Sequence, residues 1–80
     1  MQDTNKYWNE VAQKQFVGRK IVGARYMTEA EAEDMGWDQR PVVLILDDGN
    51  QIFPSRDDEG NDGGALFTTD KTNDVLPVLR

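Results

Sequence analysis

Apolar residues are concentrated in a few short runs of this chain, and their spacing predicts one helix followed by strands. The longest run is Val-Val-Leu-Ile-Leu at residues 42–46, which leads into Asp-Asp-Gly and then the apolar pair at residues 52–53. An apolar run that meets Asp-Gly is typical of a tight β-hairpin, because glycine adopts the positive φ that such turns require. The run does not alternate with polar residues, so both faces of this strand are expected to be covered.

Residues 4–16 have the spacing of a short amphipathic helix. Asp3 or Thr4 is expected to cap it, and Gly18 is expected to end it. Apolar residues three and four positions apart predict a stripe that packs against the core, with Trp8 as a core residue. The stripe consists of Tyr7, Trp8, Val11, Ala12 and Phe16.

The first strand is expected near residues 19–27, and an acidic insert follows it at residues 28–40. Gly23 inside the strand predicts a strong bend or a close approach of two backbones. Thr28 and Glu31 have capping-box spacing, which predicts a helical turn or two at the start of the insert. The many carboxylates of the insert favour a solvated excursion over a cation site.

After the hairpin, Pro54 and Pro77 limit strand pairing, because proline lacks the backbone donor that a ladder requires. Pro54 is expected at a bulge or edge, and Pro77 places the last strand, residues 75–79, at an edge. This strand is strongly apolar. A bare apolar edge would aggregate, so a second copy of the chain is expected to cover it.

Composition excludes several classes of chemistry. The 80 residues form one domain with a small core and include neither cysteine nor histidine. Ser55 is the only serine and has no histidine to activate it, so the chain is not expected to be an enzyme. No cofactor or metal is expected. Residues 57–64 are rich in oxygen ligands but Thr69 stands where an EF-hand needs glutamate, which leaves only a looser cation cage as an alternative.

The charge is unevenly distributed along the chain. Residues 1–27 contain five bases and two acids, a net charge of +3, whereas residues 28–62 contain two bases and eleven acids, a net charge of −9. The overall charge of −6 argues against non-specific binding to phosphate backbones. The basic N-terminal third could still give the molecule one positively charged face that binds an anionic ligand. No apolar stretch approaches the length of a membrane span, and the chain is expected to be soluble and cytoplasmic.

A helix followed by five short, bent strands is the element order of the Sm-like fold, and two stretches carry the resemblance. The first is FVGRKIV at residues 16–22, which is similar to that family's passage from helix into first strand. The second is FPSRDDEGNDGGAL at residues 53–66, which resembles a group of small Sm-like proteins from marine metagenomes attributed to cyanophages. The resemblance covers nearly all of the chain. It implies a mostly β fold, in which the helix precedes a five-stranded, strongly bent SH3-like barrel, and a location in the cytoplasm of an infected cell.

The resemblance also implies a homo-oligomeric ring of about five to seven subunits, closed by pairing of the fourth strand of one subunit with the fifth of the next. The implied interface residues are Leu66, Phe67, Val75, Leu76 and Val78. Sm-like proteins bind single-stranded RNA through two turns, which correspond here to residues 47–51 and 70–74. The expected nucleic-acid site consists of Asn50, Gln51, Lys71 and Asn73, which contact the ligand, and Asp48, which orients its neighbours.

Both turns depart from the family pattern. The first keeps Asp47 and Asn50 but has Asp48 and Gly49 where an apolar stacking residue is usual, and the second has Lys71 in place of an Arg-Gly pair. Asparagine and glutamine can still read base edges, and lysine can contact phosphate. The sequence thus predicts a non-enzymatic, ring-forming protein that binds RNA or single-stranded DNA. The alternative is an acidic phage-type adaptor that binds a host protein through residues 29–38.

Overall fold

Within residues 4–80, which the computed structural model describes, two helices and five strands follow one another in the predicted order. Helix α1 spans Thr4–Phe16 and strand β1 spans Ile21–Tyr26. Helix α2 spans Glu29–Met35 and strand β2 spans Val42–Leu46. Three two-residue strands complete the chain: β3 at Gln51–Ile52, β4 at Leu66–Phe67 and β5 at Val75–Leu76.

These strands do not close into a barrel. β1, β2 and β3 form one antiparallel sheet in that order, and β4 pairs with β5 in a separate two-stranded sheet. The predicted five-stranded SH3-like barrel is therefore wrong. β3 ends at Ile52, because Pro54 removes a backbone donor and the chain enters the loop at residues 55–64. That loop bridges back on itself between Ser55 and Gly63 instead of extending the sheet.

The last strand is shorter than predicted, and this also keeps the sheet open. β5 stops before Pro77. Beyond the proline, Leu79 forms an isolated antiparallel bridge with Arg40, with backbone N–O distances of 2.7 and 2.9 Å. Leu79 is thereby held beside Arg40, two residues before β2 begins. Among the described residues, no strand pairs with the outer edge of β1.

Both faces of β2 have buried side chains, as predicted, because Val42 and Leu46 are buried on one face and Val43 is buried on the other. The acidic insert contributes to the core on the Val43 face. Met27, Ala32, Trp37 and Val43 form a single buried cluster, against which Ile45 packs. Two members of this cluster, Ala32 and Trp37, come from the insert at residues 28–40. The carboxylates Glu29, Glu33 and Asp34 are exposed, as predicted, but the insert is not wholly solvated because its apolar residues cover the sheet.

Helix α2 begins and ends where its sequence predicts. The Thr28 hydroxyl accepts a hydrogen bond from the Glu31 backbone, and the Glu31 carboxylate accepts one from the Thr28 backbone, at 3.1 and 2.8 Å. The capping box is confirmed. Gly36 ends the helix with a φ of 74°, a left-handed conformation that glycine adopts without strain. The pairing of β1 with β2 shifts register between Ile21 and Gly23, next to the glycine where a strong bend or a close approach of two backbones was predicted.

Helix α1 forms over the predicted residues, but its apolar stripe is not part of the core. The helix contains no buried residue, and Trp8 is 59% exposed. The prediction that α1 packs its stripe against the core of its own chain is therefore wrong. Asp3, the alternative cap to Thr4, lies outside the described residues. In the described part of the chain, neither helix has the length and apolar character needed to cross a membrane.

Candidate nucleic-acid interface

The turn between β2 and β3 is tightly organised by its own side chains. The backbone N–H of Leu46 donates to the carbonyl of Asn50 at 2.9 Å, and Gly49 has a φ of 89°. The Asp48 carboxylate accepts hydrogen bonds from the backbone N–H and the side-chain amide of Asn50, at 2.9 and 3.3 Å. Asp48 therefore positions Asn50, as the sequence predicts for an orienting carboxylate. The amide oxygen of Asn50 and the exposed side chain of Gln51 remain available to a ligand.

Arg19 adds a cation beside this turn, and it was not among the predicted site residues. Its Nη1 atom lies 3.6 Å from an Asp47 carboxylate oxygen and 3.7 Å from one of Asp48. The antiparallel pairing of β1 with β2 brings Ile21 opposite Leu46. The residues that precede β1, Arg19 among them, therefore lie beside the residues that follow β2. Only knowledge of this strand pairing could have predicted that Arg19 lies beside the β2–β3 turn. Arg19 lowers the negative charge that this turn presents to a polyanion.

The turn between β4 and β5 has a similar internal framework. The Asp70 carboxylate accepts backbone hydrogen bonds from Asn73 and Thr72, at 3.0 and 2.8 Å, and these bonds lower the pKa of Asp70. The Thr68 hydroxyl donates to the carbonyl of Asn73 at 3.3 Å. Lys71 is exposed and makes no ion pair with the described residues. The Lys71 ammonium and the Asn73 side-chain amide are thus free to contact a ligand.

The two turns lie at opposite ends of β1 within one chain. The β2–β3 turn follows Leu46, which pairs with Ile21 at the start of β1. The β4–β5 turn borders Tyr26 at the end of β1, across an open cavity of about 800 Å³ that Asn73 also lines. β1 lies between them, and its six residues span about 17 Å, at roughly 3.3 Å per residue. A compact site that includes both turns would therefore need turns from different copies.

The implied interface residues divide between two environments. Leu66 pairs with Leu76, and both are half-buried, as is Val78. Phe67 pairs with Val75 on the exposed side of the hairpin, where Phe67 is 74% exposed. Side chains directly opposite on an antiparallel pair point to the same face. The hairpin therefore presents an apolar pair to solvent.

The oxygen-rich loop at residues 55–64 is used for structure. The Asp57 carboxylate accepts hydrogen bonds from the Asn61 side chain at 2.8 Å and from the backbones of Asn61 and Glu59, which lowers the pKa of Asp57. The Trp37 indole N–H donates to the carbonyl of Gly60 at 2.8 Å, so the loop covers Trp37. Within residues 4–80, no cluster of three or more acidic side chains is arranged to hold a metal ion.

Comparisons of this chain with protein-family models, with curated proteins and with solved structures found no match.

Proposed function

We propose that this protein is a non-enzymatic homo-oligomer that binds RNA or single-stranded DNA through its two polar turns. The observation that carries the proposal is the β4–β5 hairpin, because it combines an exposed apolar pair with the unpaired cation of Lys71. The resemblance to Sm-like proteins supports the same assignment. A ring of copies would bring the turns of one subunit near those of the next, which would compensate for their separation within one chain.

Self-association has a physical basis in the two exposed hairpin strands. β4 and β5 pair only with each other, so each leaves one edge of backbone donors and acceptors unpaired among the described residues. Unpaired apolar edges are favourable sites for strand addition. A contact between different edges of two copies is heterologous, and such contacts generate rings where the rotation closes. The expected assembly is therefore a ring joined through the hairpin.

The assembly is tested by light scattering coupled to size exclusion. The double variant Phe67→Ser, Val75→Ser removes the exposed apolar pair, and its mass is expected to fall below that of the wild-type ring. Val22→Ser is the matched control, because Val22 is also an exposed strand residue, at 64%, but lies on β1. A monomeric wild-type protein, or a double variant that keeps the wild-type mass, would rule out assembly through this hairpin.

Binding is tested by fluorescence anisotropy with labelled single-stranded RNA and DNA of mixed sequence. Lys71→Ala is expected to weaken binding and to reduce the slope of log K against log salt by about 1, because one phosphate contact is lost. Lys71→Arg keeps the charge and is the control that should retain the salt slope. Asn50→Ala is expected to weaken binding with little change in salt slope, since its contact would be to a base. Unchanged affinity in Lys71→Ala and Asn50→Ala together would exclude these residues as the site.

A second candidate function is an adaptor that binds a basic partner protein of a host cell. It is favoured by the exposed acidic face of α2, on which Glu31 pairs with Arg25 while Glu29, Glu33 and Asp34 form no ion pair within residues 4–80. Capture of a defined host protein after nuclease treatment would support it if Glu29→Gln, Glu33→Gln abolishes capture and Lys71→Ala does not. The reverse dependence would favour nucleic acid.

A further inference from the structure

Helix α1 exposes aromatic side chains that its own chain does not cover. Tyr7 and Trp8 form an edge-to-face pair with ring centroids 4.9 Å apart, and both are exposed. Phe16 at the end of the helix is also exposed, and no described residue of α1 is buried. A folded chain of this size seldom leaves so large an apolar surface in water unless a partner covers it. The stripe therefore has the character of an interaction surface.

The same chain contains an apolar groove beside β2, β3 and β4. Its volume is about 220 Å³, and its walls come from residues of these strands and from the two residues that follow β3. The groove is lined by Val42, Leu44, Ile52, Phe53, Pro54 and Leu66. All six side chains are apolar, so the groove suits an aromatic side chain rather than a polar or charged ligand.

Charge distinguishes a second copy of this chain from other apolar occupants. The loop at residues 55–64 begins at the wall of the groove, where the backbone N–H of Gly64 donates to the carbonyl of Pro54 at 3.0 Å. This loop contains four acids and one base, a net charge of −3. Helix α1 contains two bases and one acid, a net charge of +1, and Lys20 in the link that follows it adds another positive charge. The helix that has uncovered aromatic residues is therefore positively charged, and the groove has an acidic border.

The link between α1 and β1 favours a contact between copies. Backbone bonds from Val17 to Gln13 and from Arg19 to Phe16, at 2.9 and 3.0 Å, hold the end of the helix. The next residue, Lys20, accepts a backbone bond from Asp47 at 2.9 Å, so only a short, hydrogen-bonded link joins the helix to the sheet. The molecule is 42 Å long and 28 by 27 Å across, in keeping with a helix that extends from the sheets.

We propose that α1 of one copy docks its aromatic stripe, centred on Trp8, into the apolar groove of a second copy. The contact joins different surfaces of the two copies and is therefore heterologous. It is separate from the proposed contact of the β4–β5 hairpin, in which Phe67 and Val75 point to solvent.

Intermolecular paramagnetic broadening tests this contact directly. The chain has no cysteine, so Gln13→Cys on α1 accepts a single spin label without further changes. Spin-labelled protein is mixed with isotopically labelled wild-type protein that has no spin label. The amide signals of Leu44, Ile52 and Leu66 in the wild-type copies are expected to broaden. Broadening confined to residues around Phe67 and Val75, or no broadening at all, would overturn the proposal.

Sedimentation equilibrium tests the role of the stripe without the hairpin contact. In the background Phe67→Ser, Val75→Ser, Trp8→Ser is expected to raise the dissociation constant of the remaining association about tenfold or more, as for an aromatic anchor. Gln13→Ser on the same helix is the control and should leave this dissociation constant unchanged. Added salt should weaken the association, because the helix and the loop have opposite charges. A background protein that is monomeric at all concentrations, or an association that Trp8→Ser does not change, would refute docking through α1.

Discussion

Trp37 is expected to be the largest single contributor to the stability of this protein, and replacing it with phenylalanine tests that expectation. Its side chain is 6% exposed and belongs to the buried cluster with Met27, Ala32 and Val43. Its indole N–H donates to the carbonyl of Gly60 at 2.8 Å, and its ring meets Phe53 edge to face at 5.8 Å. Trp37→Phe keeps an aromatic ring at this position but removes the hydrogen bond and part of the buried surface.

The expected loss follows from these two contributions. A neutral hydrogen bond contributes about 1 kcal/mol net, and the Gly60 carbonyl can bond to water after the change because Gly60 is exposed. The second ring of indole contributes about two carbon-sized groups beyond phenylalanine, at about 0.8 kcal/mol each. The free energy of unfolding should therefore fall by about 2–3 kcal/mol. A core of this size supplies only about 3–5 kcal/mol, so the loss removes roughly half of it or more.

Urea unfolding followed by far-ultraviolet circular dichroism measures this loss without relying on tryptophan fluorescence. With an m value of about 1 kcal/mol per molar urea, the midpoint should fall by about 2 M. Trp8→Phe is the matched control: Trp8 is exposed, so at dilutions where the protein does not associate its midpoint should change by less than about 0.5 M. Similar midpoints for Trp37→Phe and Trp8→Phe would show that the loop does not bury Trp37, and the proposed core would be incorrect.

Three further predictions concern single contacts. Gly63→Ala should lower the free energy of unfolding by about 1–3 kcal/mol, because a Cβ there would lie 2.7 Å from a ring carbon of Pro41. In Gly23→Ala the nearest atom to the new Cβ, at 3.2 Å, is the flexible end of the Ile45 side chain. The same urea titration should therefore show a smaller loss of stability for Gly23→Ala. The Arg25 guanidinium and the capping bond lower the pKa of Glu31 from 4.5 to about 2, so the stability that Glu31 contributes is present above pH 4.5 and is lost as the pH falls towards 2. The melting temperatures of wild type and Glu31→Gln should therefore differ at pH 6 and converge near pH 2; a constant difference would contradict this. Calcium should not raise the melting temperature, because the carboxylate of Asp57 is occupied by amide donors; a rise that Asp57→Asn abolishes would identify a cation site.

Local features could be predicted closely from the sequence. The capping box of α2, its glycine stop and the β2–β3 turn each depend on hydrogen bonds between residues two to five positions apart. Such bonds form wherever the chain adopts the local conformation, so residue type and spacing are sufficient to identify them. The C-terminal end of α1 is of the same kind, and the helix spans the predicted residues.

The candidate site was predictable in part. Residues within each polar turn were identified correctly as neighbours, and Asp48 orients Asn50 as expected. The addition of Arg19 to the first turn depends on the register of β1 with β2, which the sequence pattern does not specify. The placement of the second turn beside Tyr26 depends on how the two sheets are arranged, so its separation from the first turn was not predictable.

By itself the sequence determined the order of helices and strands, the turn that joins β2 to β3 and the polarity of each segment, because these depend on neighbouring residues. The tertiary structure alone decided which apolar residues form the core and whether the strands close. Trp37 is buried because Gly60, 23 positions away, accepts its N–H, and the sheet stays open because Leu79 pairs with Arg40 rather than with β1. Apolar residues of equal hydrophobicity compete for the same buried surface, and only contacts between distant segments decide that Trp37 is inside and Trp8 outside.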